Sequence, residues 1–135
     1  MTINWQGGMR FTSKGKFGTE MVADAAADVG GSESAATPLE WLYFALGACT
    51  GMDVVSILRK MKQEVTKYSI EVGVDRPATD YPKPIEKAHI IHIISGPNLE
   101  SEMVDKAVRL SDEKYCAVAA SLRFAAEVTS EFRIE

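Results

Sequence analysis

The apolar positions along this chain change period several times, and each change marks an element. Residues 69–75 alternate strictly, with Ile70, Val72 and Val74 on one face and Ser69, Glu71, Gly73 and Asp75 on the other. That is the period of a half-buried strand. Lys87–Ser95 carries branched apolar residues at consecutive positions, which predicts a strand covered on both faces at the centre of a sheet. Val128, Ser130, Phe132 and Ile134 alternate with Glu127, Thr129, Glu131 and Arg133 in a closing strand, within residues 123–135. Near the start, residues 3–11 and 17–23 read as a less regular hairpin turned at Ser13-Lys14-Gly15-Lys16.

Two stretches have helical period instead. Leu99, Met103, Ala107 and Leu110, flanked by Val104 and Val108, predict an amphipathic helix over 99–113. The other begins after a small-residue loop at 25–36. Thr37 suits the N-cap, Pro38 the first helical position and Glu40 the third, where its carboxylate can close a capping box. From there a helical pattern runs to about Lys62, with Leu42, Ala45, Leu46, Cys49, Met52 and Ser56 sharing a face. Its first half is apolar all round, so it predicts burial on every side, by a sheet, a second subunit or both. Met52, Met61 and Met103 sit at core spacing. The element order is two or three strands, long helix, two strands (66–95), helix and strand: a single α+β domain over 1–135 with much antiparallel pairing.

Composition narrows the chemistry. Of 135 residues, 46% are hydrophobic and 25% charged, the balance of an ordinary globular domain. A net charge of −4, with Lys and Arg scattered, argues against a nucleic-acid partner. No signal-peptide pattern opens the chain, and the apolar run near residues 41–49 is shorter than the roughly 20 residues that span a bilayer. The expectation is therefore a cytoplasmic protein without a membrane partner. His89 and His92 are three apart on a strand and should face opposite ways, which opposes a shared metal site.

The two cysteines carry the candidate chemistry. Cys49 lies between Gly47 and Gly51, and each interior helical glycine costs about 1 kcal/mol relative to alanine. Either another element packs closely at that turn or something reaches the sulfur. Cys116 follows Lys114-Tyr115 at the entry to a short small-residue segment. Without CxxC spacing, two cysteines do not suggest structural zinc, and in a reducing compartment they do not suggest a disulfide staple. Asp53, one helical turn beyond Cys49, would disfavour a thiolate if it lay close and unpaired.

Gly7-Gly8-Met9-Arg10-Phe11, Thr37-Pro38-Leu39-Glu40-Trp41-Leu42, Ala45-Leu46-Gly47-Ala48-Cys49-Thr50-Gly51 and Lys114-Tyr115-Cys116 together resemble the family of osmotically inducible protein C and organic hydroperoxide resistance proteins (OsmC/Ohr), over essentially the full length. Within it, the LGxCTG and KYC signatures look closer to a less characterised OsmC-like branch. The resemblance implies an intertwined homodimer, with antiparallel sheets from both chains wrapped around long central helices. It also implies a thiol peroxidase that reduces organic hydroperoxides and is regenerated by a dithiol or lipoylated partner, with no bound cofactor or metal. In that pattern Cys49 is peroxidatic, Cys116 resolving and Arg10 the cation beside the first sulfur. Glu40 is the candidate for the acid that holds the arginine, but it lies one residue past the family's position, about 100° round the helix, where it leans towards capping alone. Three positions depart from the family peroxidases: Leu39 follows the proline where they carry glutamate, Met9 separates Arg10 from the glycines, and Ala117 replaces the proline after the second cysteine. The rival reading is a non-catalytic dimer that binds a small apolar ligand or senses redox state.

Overall fold

In the computed structural model, which describes residues 1–78 and 81–135, the chain forms two compact units, 1–44 and 45–135. The first holds an antiparallel three-stranded sheet of β1 (Ile3–Trp5), β2 (Phe11–Lys14) and β3 (Glu20–Ala23) in sequence order. The continuous strand expected over 3–11 is broken, because Gly7 and Gly8 turn the chain with φ of 94° and 54°. Glycine enters that region without steric penalty, and two in succession end a strand.

The stretch at 25–36 is a loop with its own architecture. Asp24, 1% exposed, accepts hydrogen bonds from the Ala25 amide (2.8 Å), the Ser32 hydroxyl (2.6 Å), and the amide and hydroxyl of Ser34 (3.1 and 2.7 Å). These donors, the two serine hydroxyls first, hold its carboxyl far below the usual range. The expected capping box forms: Glu40 Oε2 accepts from the Thr37 amide at 2.7 Å, and the Glu40 amide donates to Thr37 Oγ1 at 3.3 Å. It opens helix α1 (Pro38–Lys60), which passes from the first unit into the second.

In the second unit, β4 (Lys67–Asp75), β5 (Lys87–Ser95) and β6 (Glu127–Ile134) form a sheet with β5 in the middle, as its two-sided apolar pattern predicts. β4 pairs antiparallel to β5, but β6 pairs parallel to it. That corrects the antiparallel sheets the resemblance implies: this sheet is mixed. The segment between β5 and β6 contains α2 (Ser101–Leu110), a π-helical turn (Ser111–Tyr115) and α3 (Ala117–Leu122). Such a helical crossover is long enough to carry the chain back so that β6 runs beside β5 in the same direction, on the side opposite β4. The small residues after Cys116, which carried no helix prediction, form α3.

One face of β5, with Ala88, Ile90, His92 and Ile94, is fully buried. Helix α1 contributes Leu46, Gly47, Thr50, Gly51, Val54, Ile57 and Leu58 to the interior, and α2 adds Val104, Ala107 and Val108. Fully burying a Leu, Ile or Val side chain stabilises by about 1.5–3 kcal/mol, so this shared core is the main support of the unit. The buried face of α1 is rotated from the expected one, and Met52 is 73% exposed. The glycines explain the rotation. A Cβ on Gly47 would sit 3.0 Å from Val72 Cγ2, and one on Gly51 would sit 2.5 Å from Ile70 Cδ1. The bare turns around Cys49 therefore admit strand β4, and close packing is the alternative the structure supports.

This makes a stability prediction. Ile70 Cδ1 is the flexible end of its side chain, whereas Val72 Cγ2 is fixed to its Cβ and cannot move aside. Gly51→Ala should leave stability nearly unchanged, helix propensity offsetting the crowding. Gly47→Ala should lower it by about 1–3 kcal/mol, as overpacking does. Urea unfolding of the two variants checks this, and equal stabilisation of both by about 1 kcal/mol would contradict it. Among the described residues α1 is also the one helix long and apolar enough, by length and composition, to cross a membrane. Here its second half packs against a sheet of its own chain, as the core helix of a folded unit does.

Candidate functional site

Cys49 and Asp53 are four residues apart on α1, so one helical face presents both. Cys116 comes from the junction between the π-helical turn and α3. The π-helical turn closes with the Cys116 amide donating to the Ser111 carbonyl at 2.9 Å, and Cys116 becomes the N-cap of α3. Its sulfur accepts the Ala119 amide at 3.4 Å. One sulfur from each cysteine and a carboxylate oxygen of Asp53 all lie within 4.8 Å of one another. Both cysteines are free thiols; Cys116 is 2% exposed and Cys49 is half-buried. Leu46, Ala88, Ile90 and Ala119 form the apolar wall around Cys116, with Val118 and Val128 at its margin.

A polar chain runs beneath the thiols. Thr50 and Ser111 are both fully buried, with their hydroxyl oxygens 2.9 Å apart, and Ser111 Oγ is 3.2 Å from Asp53 Oδ2. An ionised carboxylate only accepts, so the single Ser111 proton goes to Asp53 and the Thr50 hydroxyl donates to Ser111. The direction Thr50 to Ser111 to Asp53 satisfies both buried hydroxyls and aims the carboxylate at the sulfurs. Burial pushes the Cys116 thiol up to about 11, and the proximity of Cys49 adds to that rise. Cys116 is therefore a thiol at neutral pH.

The other two residues expected at the site belong to the first unit. Arg10 donates from Nη1 to Ser34 Oγ at 2.6 Å, and that hydroxyl in turn donates to Asp24. The guanidinium is thus anchored on the Asp24 loop. The Glu40 carboxylate is engaged by the amide and hydroxyl of Thr37, which lower its pKa. Leu39, half-buried, holds the position next to the helix-opening proline. Two site residues were not singled out from sequence, Thr50 and Ser111. Thr50 adjoins Cys49, but Ser111 reaches the site only through a π-helical turn, which has no clear sequence signature. His89 and His92 do face opposite ways, one exposed and one fully buried, as their spacing requires.

A family model described as OsmC-like protein matches residues 30–131, about three quarters of the chain. The chain belongs to the OsmC-like family. The protein YhfA of Escherichia coli K12 is 30% identical over 132 residues, covering 98% of this chain and 95% of YhfA. A solved structure of a hypothetical protein from Aquifex aeolicus is 31% identical with a TM-score of 0.81, covering 99% of this chain and 95% of the other. An organic hydroperoxide resistance protein OsmC from Legionella pneumophila shares the fold, with a TM-score of 0.69 over 97% and 94% of the two chains, at 16% identity. The gap between 30% and 16% sets this OsmC-like protein with YhfA rather than with the hydroperoxide resistance proteins. The α+β OsmC-like fold and the paired cysteines are thus features of the protein, while its activity rests on its own site.

Proposed function

We propose that this OsmC-like protein is a two-cysteine thiol peroxidase that reduces organic hydroperoxides. The observation that carries the reading is the pairing of a half-buried Cys49 with a buried Cys116, their sulfurs within 4.8 Å. The more accessible sulfur attacks as thiolate. Cys49 takes the terminal oxygen of the hydroperoxide, the O–O bond breaks, and the departing alkoxide takes a proton and leaves as alcohol. The Cys116 thiol then attacks the Cys49 sulfenic acid, forming the S–S bond and releasing water. An external dithiol or lipoylated partner restores both thiols, becoming a disulfide itself. Disulfide formation needs the sulfurs to close from within 4.8 Å to about 2.05 Å.

Arg10 is the proposed cation that favours the Cys49 thiolate, on the family resemblance, and its planar fork suits orienting a peroxide. Glu40, tied to Thr37, is proposed to contribute by fixing the start of the helix that carries Cys49. The proposed assembly is a homodimer. On one face of the first sheet Ile3 and Trp5 are each 65% exposed and Phe11 is 42% exposed, and on α1 Phe44 and Met52 are 65% and 73% exposed. Apolar surface of this kind marks an interaction face. A cytoplasmic location fits two free thiols.

Asp53 favours a second reading, a redox-sensing or ligand-binding dimer without efficient turnover, because a carboxylate lies beside both sulfurs where a peroxidatic pocket calls for a cation. Steady-state consumption of an organic hydroperoxide with a small dithiol as reductant separates the two. The peroxidase reading predicts many turnovers per chain and a clear preference over hydrogen peroxide. A single stoichiometric oxidation with no further consumption would favour the sensor.

A further inference from the structure

We propose that the reduced protein holds a divalent cation of the zinc class at Cys49, Asp53 and Cys116. These three residues place donor atoms within 4.8 Å of one another, and among the described residues no other group of three metal-capable side chains is so arranged. Around tetrahedral zinc, with bonds of about 2.0–2.3 Å, neighbouring ligand atoms stand about 3.3–3.8 Å apart. Contraction of about 1 Å at the longest separation completes the set. Cys49 and Asp53 at i and i+4 have the spacing by which a helix offers two ligands to one ion, as the two histidines of HExxH helices do. Cys116 closes the third corner from the π-helical turn.

The donor chemistry narrows the ion. Two thiolates reject magnesium and calcium, which take oxygen ligands, while the carboxylate does not suit copper(I). Sulfur and carboxylate together fit zinc, with a fourth position open to water. The carboxylate also has the support that metal ligands need. Ser111, fully buried, donates to Asp53 Oδ2 at 3.2 Å and is itself held by Thr50 at 2.9 Å. Such hydrogen bonds fix ligand orientation, and their loss typically weakens metal binding about 10–100-fold. Within the second unit Asp53 forms no salt bridge among the described residues. Two sulfurs and a carboxylate gathered without a cation make a poor peroxidatic pocket and a good cation site, so the ion accounts for the acid that the peroxidase reading leaves opposed.

Binding forms two metal–sulfur bonds and releases the two thiol protons to solvent, with no change in oxidation state. A disulfide between Cys49 and Cys116 would remove both thiolates, so the site belongs to the reduced protein. The test is a cobalt(II) titration of the reduced full chain, followed by absorbance. The expected result is one cobalt per chain with a thiolate-to-cobalt charge-transfer band, bleached by zinc. The affinity should fall at least 100-fold in Cys49→Ser and about tenfold in Ser111→Ala, with circular dichroism showing both folded. The wild-type protein decides even if a variant fails to fold: absence of the charge-transfer band overturns the proposal. A band of unchanged strength in folded Cys49→Ser overturns it too. The site does not rest on peroxidase activity, and the readouts separate. Cobalt bound without peroxide turnover removes the enzyme reading alone, and turnover without cobalt binding removes this one.

Discussion

Cys49→Ser is expected to abolish hydroperoxide turnover, by roughly a thousandfold or more, as loss of a nucleophile does. A serine hydroxyl at this position is neutral at pH 7 and a poor acceptor of peroxide oxygen, and Cys116 cannot replace it. The second sulfur is 2% exposed and its pKa is pushed up to about 11, so it is neither reachable nor ionised. Cys116→Ser should behave differently. Its first oxidation proceeds at a near-normal rate, but the Cys49 sulfenic acid has no thiol to condense with. The protein then gains a second oxygen and is lost to irreversible sulfinic acid. Mass spectrometry after successive equivalents of peroxide distinguishes the pair: no adduct at position 49 in the first variant, and additions of about 16 and then about 32 Da in the second. Normal turnover by Cys49→Ser would refute the assignment.

The stability of the second unit is expected to fall by about 3 kcal/mol between neutral pH and pH 4 because of His92 alone. His92 is fully buried on β5, shares a hydrogen bond of 2.5 Å through Nδ1 with the Tyr68 hydroxyl, and among the described residues has no partner for Nε2. Burial pushes its pKa down to about 4 from an ordinary 6.5. The folded state therefore binds the proton less readily than the unfolded chain. Stability is at its full value above about pH 6.5, falls as pH drops, and has lost most of this contribution at the folded pKa of about 4. His92→Asn removes the titration while keeping a polar group near Tyr68. Urea midpoints measured at pH 7 and pH 4.5 should converge for the variant and diverge for the wild type. Equal losses in both proteins would show that carboxylates, not this imidazole, govern the acid side.

The residues that announced themselves in sequence were those whose local chemistry and tertiary role agree. Thr37, Pro38 and Glu40 spell a capping box, and the box forms with the expected partners. Ile70, Val72 and Val74 alternate because one face of β4 is covered, and the apolar residues on both faces of β5 match its central place. The misreadings have physical causes. Helix α1 is apolar on nearly every side, so periodicity could not tell which face packs inward; glycines carry no hydrophobic signal, yet Gly47 and Gly51 let β4 approach most closely and set the rotation that leaves Met52 outside. The parallel pairing of β6 is a property of the crossover through α2 and α3, and alternation within a strand is blind to its direction.

The candidate site shows the same division. Cys49, Cys116 and Asp53 could be named because each carries reactive chemistry in a telling neighbourhood, and the structure brings the three together. Ser111 could not, since nothing in Leu110-Ser111-Asp112 distinguishes it from a surface serine until the π-helical turn buries it against Thr50. Arg10 was placed by a motif, and the structure supplies its anchor, Ser34 on the Asp24 loop. That loop was legible only as a run of small residues, because a carboxylate that organises ten residues downstream leaves no periodic trace.

The most direct test of the two-thiol account is the intact mass and free-thiol count of the reduced protein after one equivalent of an organic hydroperoxide. Loss of both thiols and of two mass units per chain, faster than with hydrogen peroxide, is the predicted outcome. Retention of both thiols, or an oxygen adduct that never resolves to a disulfide, would contradict it.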